Sequence, residues 1–402
     1  MKLVSLGELG DFKNGVNFKS ERMGRGVPLI NVKDITTSHR IDPSALDLVD
    51  VQANEDLIAS TDDIFFVRSS VKLDGIALVG KITSNGPQAI HCGFVIRFRP
   101  TSPRVSSDYL VYLLLSPEYR QRLIGLSGGA AIVNISQTNL KSLPVPLPPL
   151  GVQRKIADIL TAYDDLMENN RRRMALLEES ARLLYREWFV SLRFPGHEHI
   201  RTVDSVPEGW EKKKIQDVCV TVGGGTPSTK NSAYWDGGEI TWVVPTDITR
   251  NNSLVLLDSE KKITDMGLRE SSAKMLPPET ILMTSRASVG FFGLIDKEVC
   301  TNQGFISVIP NEDYHRMYLL FNLMSRRDEI LNHAGGATYK EISKGTFRNF
   351  EILIPTHTLL KHFQDFAYGA VRQVRLLKKQ NQRLQQARDL LLSHLMSGQL
   401  TA

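Results

Sequence analysis

At 402 residues the chain exceeds one ordinary domain core, so two or more domains are expected. Its 42% hydrophobic and 23% charged residues are those of a water-soluble globular protein, and no run of 18 apolar residues exists to span a membrane. The net charge of +5 suits a nucleic-acid partner without requiring one, and all of it lies in residues 361–402, which hold seven Lys/Arg and two Asp. Any DNA-binding surface elsewhere must therefore come from the arrangement of charges. Cys92, Cys219 and Cys300 are odd in number and scattered, which excludes a disulfide framework and a zinc knuckle. Met1 is followed by no long apolar core of a signal peptide, so a cytoplasmic location is expected.

In chain order, β-branched and aromatic runs bounded by Gly, Pro, Asn or Ser predict strands over 28–32, 64–67, 75–79 and 94–98. A helix is predicted over 107–115. Pro148-Pro149 closes this part, and a proline-free stretch follows. Its residues 156, 160, 163, 167, 170, 174, 177, 181, 184 and 188 step 4-3-4-3, the seam of a coiled coil. The plan then recurs. Strands are predicted over 241–244, 280–284 and 304–309 and a helix over 313–325. A second seam runs from Phe363 to Leu395 in the same steps.

The recurrence is a duplication. GGAAIVNIS at 128–136 and GGATYKEIS at 335–343 lie 207 positions apart, and the same offset carries Ser136–Pro148 onto Ser343–Pro355. Upstream, Cys92-Gly93-Phe94 matches Gln303-Gly304-Phe305 by letter. Arg68-Ser69-Ser70-Val71 matches Arg286-Ala287-Ser288-Val289, and residues 32–36 match 245–249. A repeat of this length is a doubled domain, since solenoid units run ~20–50 residues.

Each seam holds one asparagine, Asn170 and Asn381. If these face each other in an antiparallel pair, Ile156 falls opposite Leu395 and Trp188 opposite Phe363, so both seams end flush. A buried Asn commonly fixes register; a tolerated polar residue is the alternative. The expected fold is α+β. Two tandem mixed α/β domains (1–149 and 208–356) are joined by a long antiparallel two-helix coiled coil (150–192 and 357–402, with a linker at 193–207), with pseudo-twofold symmetry. A 33-residue seam at ~1.5 Å rise is about 50 Å long, one to two turns of B-DNA at about 34 Å per turn.

No motif looks catalytic, and no metal or cofactor site is expected. Gly75–Lys81 spells GxxxxGK, but Ile82 replaces the hydroxyl residue and the interior is strand-like. His197-Glu198-His199 lies in a linker without further ligands. The candidates for DNA contact recur in both copies. Arg68, Ser69, Ser70 and Lys72, with Ser285, Arg286 and Ser288, follow strands where loops present side chains to bases or phosphates. Gly128, Gly129, Gly335 and Gly336 could bring backbone amides close to phosphate. Lys33, Asp34, Thr36, Asp247 and Thr249 add polar groups at strand ends, and Asn134, Gln303, Tyr339 and Lys340 complete the set. The alternative is that Asp-Ile-Thr and Gly-Gly only make turns, and that Lys378-Lys379 is a solvated helix face.

Several stretches then point one way: GVNFKS at 15–20, ENNRRR at 168–173, GGTPSTKN at 224–231 with Tyr234-Trp235, TSRASVG at 284–290, TNQGF at 301–305 and LLLSHLMSGQL at 390–400. In this order they resemble the specificity subunit of type I restriction-modification systems, across essentially the whole chain. The resemblance implies two target-recognition domains, each binding half of a bipartite site in double-stranded DNA. It implies a helical spacer that docks two adenine methyltransferase subunits, which bind S-adenosylmethionine. It also implies up to two restriction subunits, no membrane partner, and no chemistry or cofactor on this chain. Copy one departs from copy two at 89–94 and has a longer loop after Arg68, so the target is expected to be non-palindromic. Two other readings stay open: a stand-alone two-headed DNA-binding or regulatory protein, and an enzyme with an unrecognised site.

Overall fold

A computed structural model describes residues 3–52, 54–83, 86–129, 132–204, 206–336 and 339–400. The chain forms two compact units, Met1–Leu166 with Leu384–Ala402, and Met167–Arg383. Among the described residues no helix is long and apolar enough to cross a membrane.

In the first unit five strands lie in the order Gly10–Asn14, Val95–Pro100, Ile64–Val67, Val79–Ile82, Arg40–Ile41, antiparallel except for the last pair. Alternate residues of the central strand serve opposite faces. Ile64 and Phe66 join a core with Ile96, Phe98 and the helix Ser107–Leu115, whereas Phe65 and Val67 join Leu29, Ile30 and Ile35. Burial on both faces is why this strand reads as an unbroken apolar run. Beside it, Leu48–Val49, Met23–Ile30 and Ile90–His91 form a three-stranded sheet.

The second unit repeats the pattern with Cys219–Gly223, Phe305–Pro310, Ile281–Thr284 and Phe292–Leu294, and a second sheet of Lys262–Ile263, Ile240–Val243 and Cys300–Thr301. One strand differs from expectation. Most of 75–79 is not strand. A 3-10 turn spans Leu73–Gly75, Ala77 turns with φ 50° while its amide donates to the Val67 carbonyl at 2.9 Å, and the strand begins only at Val79. Lys81, the end of the GxxxxGK match, is buried in that strand, with its Nζ 2.8 Å from Ser107 Oγ and 2.5 Å from Asp108 Oδ1.

The two long helices are Leu150–Tyr185, extended by a π-turn over Arg186–Val190, and His357–Ser397. None of the seam positions is exposed. In the first unit Ile156 and Leu160 pack in one core with Leu392 and Leu395. In the second, Ala181 and Tyr185 pack with Phe363, Ala367 and Val374, and the Trp188 and Phe363 rings lie 6.4 Å apart. Asn170 is fully buried and its Nδ2 donates to Asn381 Oδ1 at 2.9 Å, while Asn381 Nδ2 donates to the Met167 carbonyl at 3.0 Å. Arg388, a cation at a seam position, is explained by Asp164, which is 3% exposed and accepts from Arg388 Nη1 at 2.7 Å.

Several cations of the basic tail are already engaged within the protein. Arg375 pairs with Glu279 at 2.8 Å, Lys379 with Asp296 at 2.9 Å, and Lys378 donates to the Val255 carbonyl at 2.7 Å.

Candidate nucleic-acid interface

The strand-end candidates act first as helix caps. Asp34 accepts from the Asn31 amide at 2.8 Å, closing the start of the short helix Val32–Thr37, and Asp247 does the same for Val244 at 2.8 Å before Pro245–Thr249. Burial raises the Asp34 carboxyl above its ordinary value against that amide. Thr36 donates to the Lys33 carbonyl at 3.0 Å, Lys33 pairs with Asp47 at 2.5 Å, and Thr249 is half-buried. Asp34 and Asp247 therefore cap short helices, and Lys33 is the exposed cation beside Asp34.

The remaining candidates are gathered by backbone hydrogen bonds into one frame that occurs in each unit. In the first, the Arg68 amide donates to the Phe94 carbonyl at 2.8 Å, and Ile135 N donates to Arg68 O at 3.0 Å. Gly128 and Asn134 exchange two bonds at 3.0 and 2.8 Å, and Ser69–Ser70 pairs with Val133–Asn134. In the second, Ser285 N donates to Gly304 O at 2.7 Å and Ile342 N to Ser285 O at 3.0 Å; Gly335 and Glu341 exchange bonds at 3.0 and 2.7 Å. Arg286 bridges Glu341, and Ala287 N donates to Lys340 O at 2.9 Å.

This frame corrects the letter-by-letter matches by one residue. Val95 pairs with Val67, as Phe305 pairs with Thr284. Arg68 is therefore equivalent to Ser285, Ser69 to Arg286, and Phe94 to Gly304. The shared Arg and Gly-Phe letters lie next to the paired positions, and strand register is counted in hydrogen bonds. Gly93 and Gln303 thus correspond. Thr226 Oγ1 donates to the exposed Gln303 side chain, and a Cβ at Gly93 would collide with Asn17 Oδ1.

Exposure sorts these side chains. Ser285 is 3% exposed and takes part in the frame through its backbone. Arg286, Ser288, Tyr339, Lys340, Lys72 and Asn134 are exposed, and Arg68, Ser69 and Ser70 half-buried. Arg68 Nη1 sits 3.4 Å from the Gly93 carbonyl, and Ser70 Oγ accepts from the Lys72 amide at 3.1 Å. Other side chains also reach the surface here: Phe94 and Ile132 are 60% and 52% exposed, and Glu341 pairs with Arg286. No spacing signal links Arg286 to Glu341, because only the fold brings them together. Ala131 and Thr338, which differ between the two copies, lie outside the described residues.

The two glycines of each pair differ in role. Gly129 and Gly336 have φ of 128° and 121°, and a Cβ on either would lie 2.1 Å from the carbonyl of Ile132 or Tyr339. Gly128 and Gly335 have open space. Gly129→Ala or Gly336→Ala should therefore destabilise the local hairpin by at least about 1–2 kcal/mol, whereas Gly128→Ala and Gly335→Ala should be tolerated. Amide exchange at Asn134 and Glu341 would report both.

Taken together, each unit is a mixed α/β domain that presents a loop and a hairpin, rich in polar and aromatic side chains, from the end of a buried sheet. Residues 1–179 and 207–358 both match the type I restriction modification DNA specificity domain family. The chain belongs to the specificity-subunit family of type I restriction-modification systems. It is 32% identical over 186 residues to the type I restriction enzyme MjaIX specificity subunit of Methanocaldococcus jannaschii, a match covering 44% of this chain and 43% of that protein's length. It is 24% identical over 368 residues to the HindI specificity subunit of Haemophilus influenzae, covering 75% of this chain and 79% of that one. In fold it resembles the crystal structure of a type I restriction-modification S subunit from M. genitalium, with a TM-score of 0.61 at 14% identity over 98% of this chain and 95% of that one.

Proposed function

We propose that the target-recognition domains 1–149 and 208–356 each bind one half of a bipartite, asymmetric DNA site, and that the coiled coil sets the gap between the halves. The coil docks two methyltransferase subunits that carry S-adenosylmethionine, restriction subunits join that complex, and this chain does no chemistry itself. The observation that carries this reading is the frame just described: the same loop-and-hairpin ladder twice, with different side chains at equivalent positions. A conserved scaffold with unlike tips suits two unlike half-sites.

The helices also leave apolar side chains uncovered. Leu176 is 70% exposed, Val190 60%, Leu376 67% and Leu390 61%. Such residues on otherwise charged helices suit a protein partner more than solvent. Co-purification of the tagged full-length chain from its native host tests the assembly. Recovery of a methyltransferase, with S-adenosylmethionine-dependent methylation by the complex and none by the chain alone, is expected. A chain that methylates alone, or recovers no methyltransferase, contradicts it.

A further inference from the structure

We infer that Ser69 with Asn134, and Arg286 with Glu341, are the side-chain pairs that select a base in each half-site: an adenine for the first domain and the guanine of a G·C pair for the second. The inference rests on the reading of two DNA-binding halves given above, and adds which positions read and what they read.

The pairs occupy the same two positions of the shared frame. Residues 69 and 286 each follow the strand-end residue whose carbonyl accepts from Ile135 or Ile342, and residues 134 and 341 each exchange both backbone bonds with the first glycine of the hairpin. At these positions the side chains also meet each other. Ser69 Oγ donates to Asn134 Oδ1 at 2.5 Å, and Arg286 Nε lies 3.6 Å from Glu341 Oε2. Each reading group is therefore held by a neighbour before any ligand arrives, which lowers the ordering cost of binding. The Arg286 and Glu341 side chains are still 49% and 51% exposed.

Acceptor groups separate base contact from phosphate contact. Phosphate oxygens only accept, so they engage cations or neutral donors. Here Asn134 keeps an unused acceptor, and Glu341 places a carboxylate beside the Arg286 guanidinium, which would repel a phosphate. Base edges tolerate both.

The unused hydrogen-bonding capacity then identifies the bases. Asn134 has given one lone pair to Ser69 and one N–H to the Ile132 carbonyl at 3.1 Å. It retains one donor and one acceptor, the complement of adenine N7 and N6 in the major groove. Among the described residues nothing accepts from the terminal nitrogens of Arg286, so its fork is free for guanine O6 and N7. The second oxygen of Glu341 is placed to accept from the paired cytosine N4. The exposed apolar neighbours Phe94 and Ile132 accompany the adenine-reading pair, where an adjacent thymine methyl offers apolar contact.

The test selects bound sequences from a randomised duplex library, using the full-length chain in its methyltransferase complex. Arg286→Gln should change one guanine of one half-site to adenine, and Asn134→Asp should replace one adenine of the other half-site by cytosine. Each should shift the base preference by roughly 5- to 150-fold. In either variant the untouched half-site and the gap serve as the control for folding. A variant motif identical to wild type, or uniform weakening of one half-site with no change of base, overturns the inference while leaving the two-half reading intact. A wild-type complex that enriches no two-part motif contradicts that reading, and this inference with it.

Discussion

Inserting one heptad into each long helix, before Asn170 and after Asn381, is expected to lengthen the gap of the recognised site by about three base pairs. Seven residues at ~1.5 Å add about 10 Å, and one base pair occupies about 3.4 Å. The paired insertion keeps Asn170 Nδ2 on Asn381 Oδ1, so the register contact survives. It also keeps the 4-3 stepping, so no apolar seam residue turns to solvent. Affinity should fall as well, because three base pairs rotate the half-sites by about 100° whereas a heptad turns a helix pair by only about 20°. An insertion in one helix alone should instead unpair the asparagines, burying an amide against apolar neighbours at a cost of about 1–3 kcal/mol. Mapping of methylated sites distinguishes the cases, and an unchanged gap in the double insertion refutes the coil as a ruler.

The second large effect is on stability. Asp164→Ala should destabilise the first unit by about 3–5 kcal/mol. It removes the carboxylate that accepts from Arg388 at 2.7 Å, Tyr112 Oη at 2.7 Å and His39 Nε2 at 3.0 Å. Arg388 would then sit in the seam with only Asp389 as a partner, at 2.6 Å. Burial opposes ionisation of Asp164, but the hydrogen bonds from His39 and Tyr112 and the charges of His39 and Arg388 outweigh it and hold the carboxyl below its ordinary 3.8. With the folded value depressed, the stabilisation is complete above about pH 4 and is lost as pH falls below it. Urea unfolding at pH 7 and at pH 3 checks this. The wild-type chain should lose more stability between the two than Asp164→Ala. Equal losses, or a variant within about 1 kcal/mol of wild type at pH 7, contradict the account.

What could be read from the sequence was whatever periodicity or repetition enforces. The seams step 4-3 because only that spacing keeps one stripe of a helix buried, so Ile156 opposite Leu395 and Asn170 opposite Asn381 followed from counting. The helix expected over 107–115 runs Ser107–Leu115, with Ser106 at its start accepting from Tyr109 N. The hidden part depends on pairing between distant segments. Arg68 and Arg286 look equivalent as letters, yet their backbone bonds place them one residue apart, and that slip buries Ser285 and exposes Arg286. Asp34 and Asp247 sit where a DNA contact would be attractive, but a carboxylate three residues into a helix start is satisfied by the capping amide. The basic tail looked available for DNA because sequence shows charge and not its partner; Glu279 and Asp296 already hold Arg375 and Lys379.

The central claim, that two unlike domains read two unlike half-sites at a set distance, is met most directly by long-read methylation sequencing of DNA from the native host. The expected result is one methylated motif with two different short specific halves separated by a fixed unspecified gap, lost when this chain is deleted. A palindromic motif, a single continuous site, or methylation that persists without the chain would contradict it.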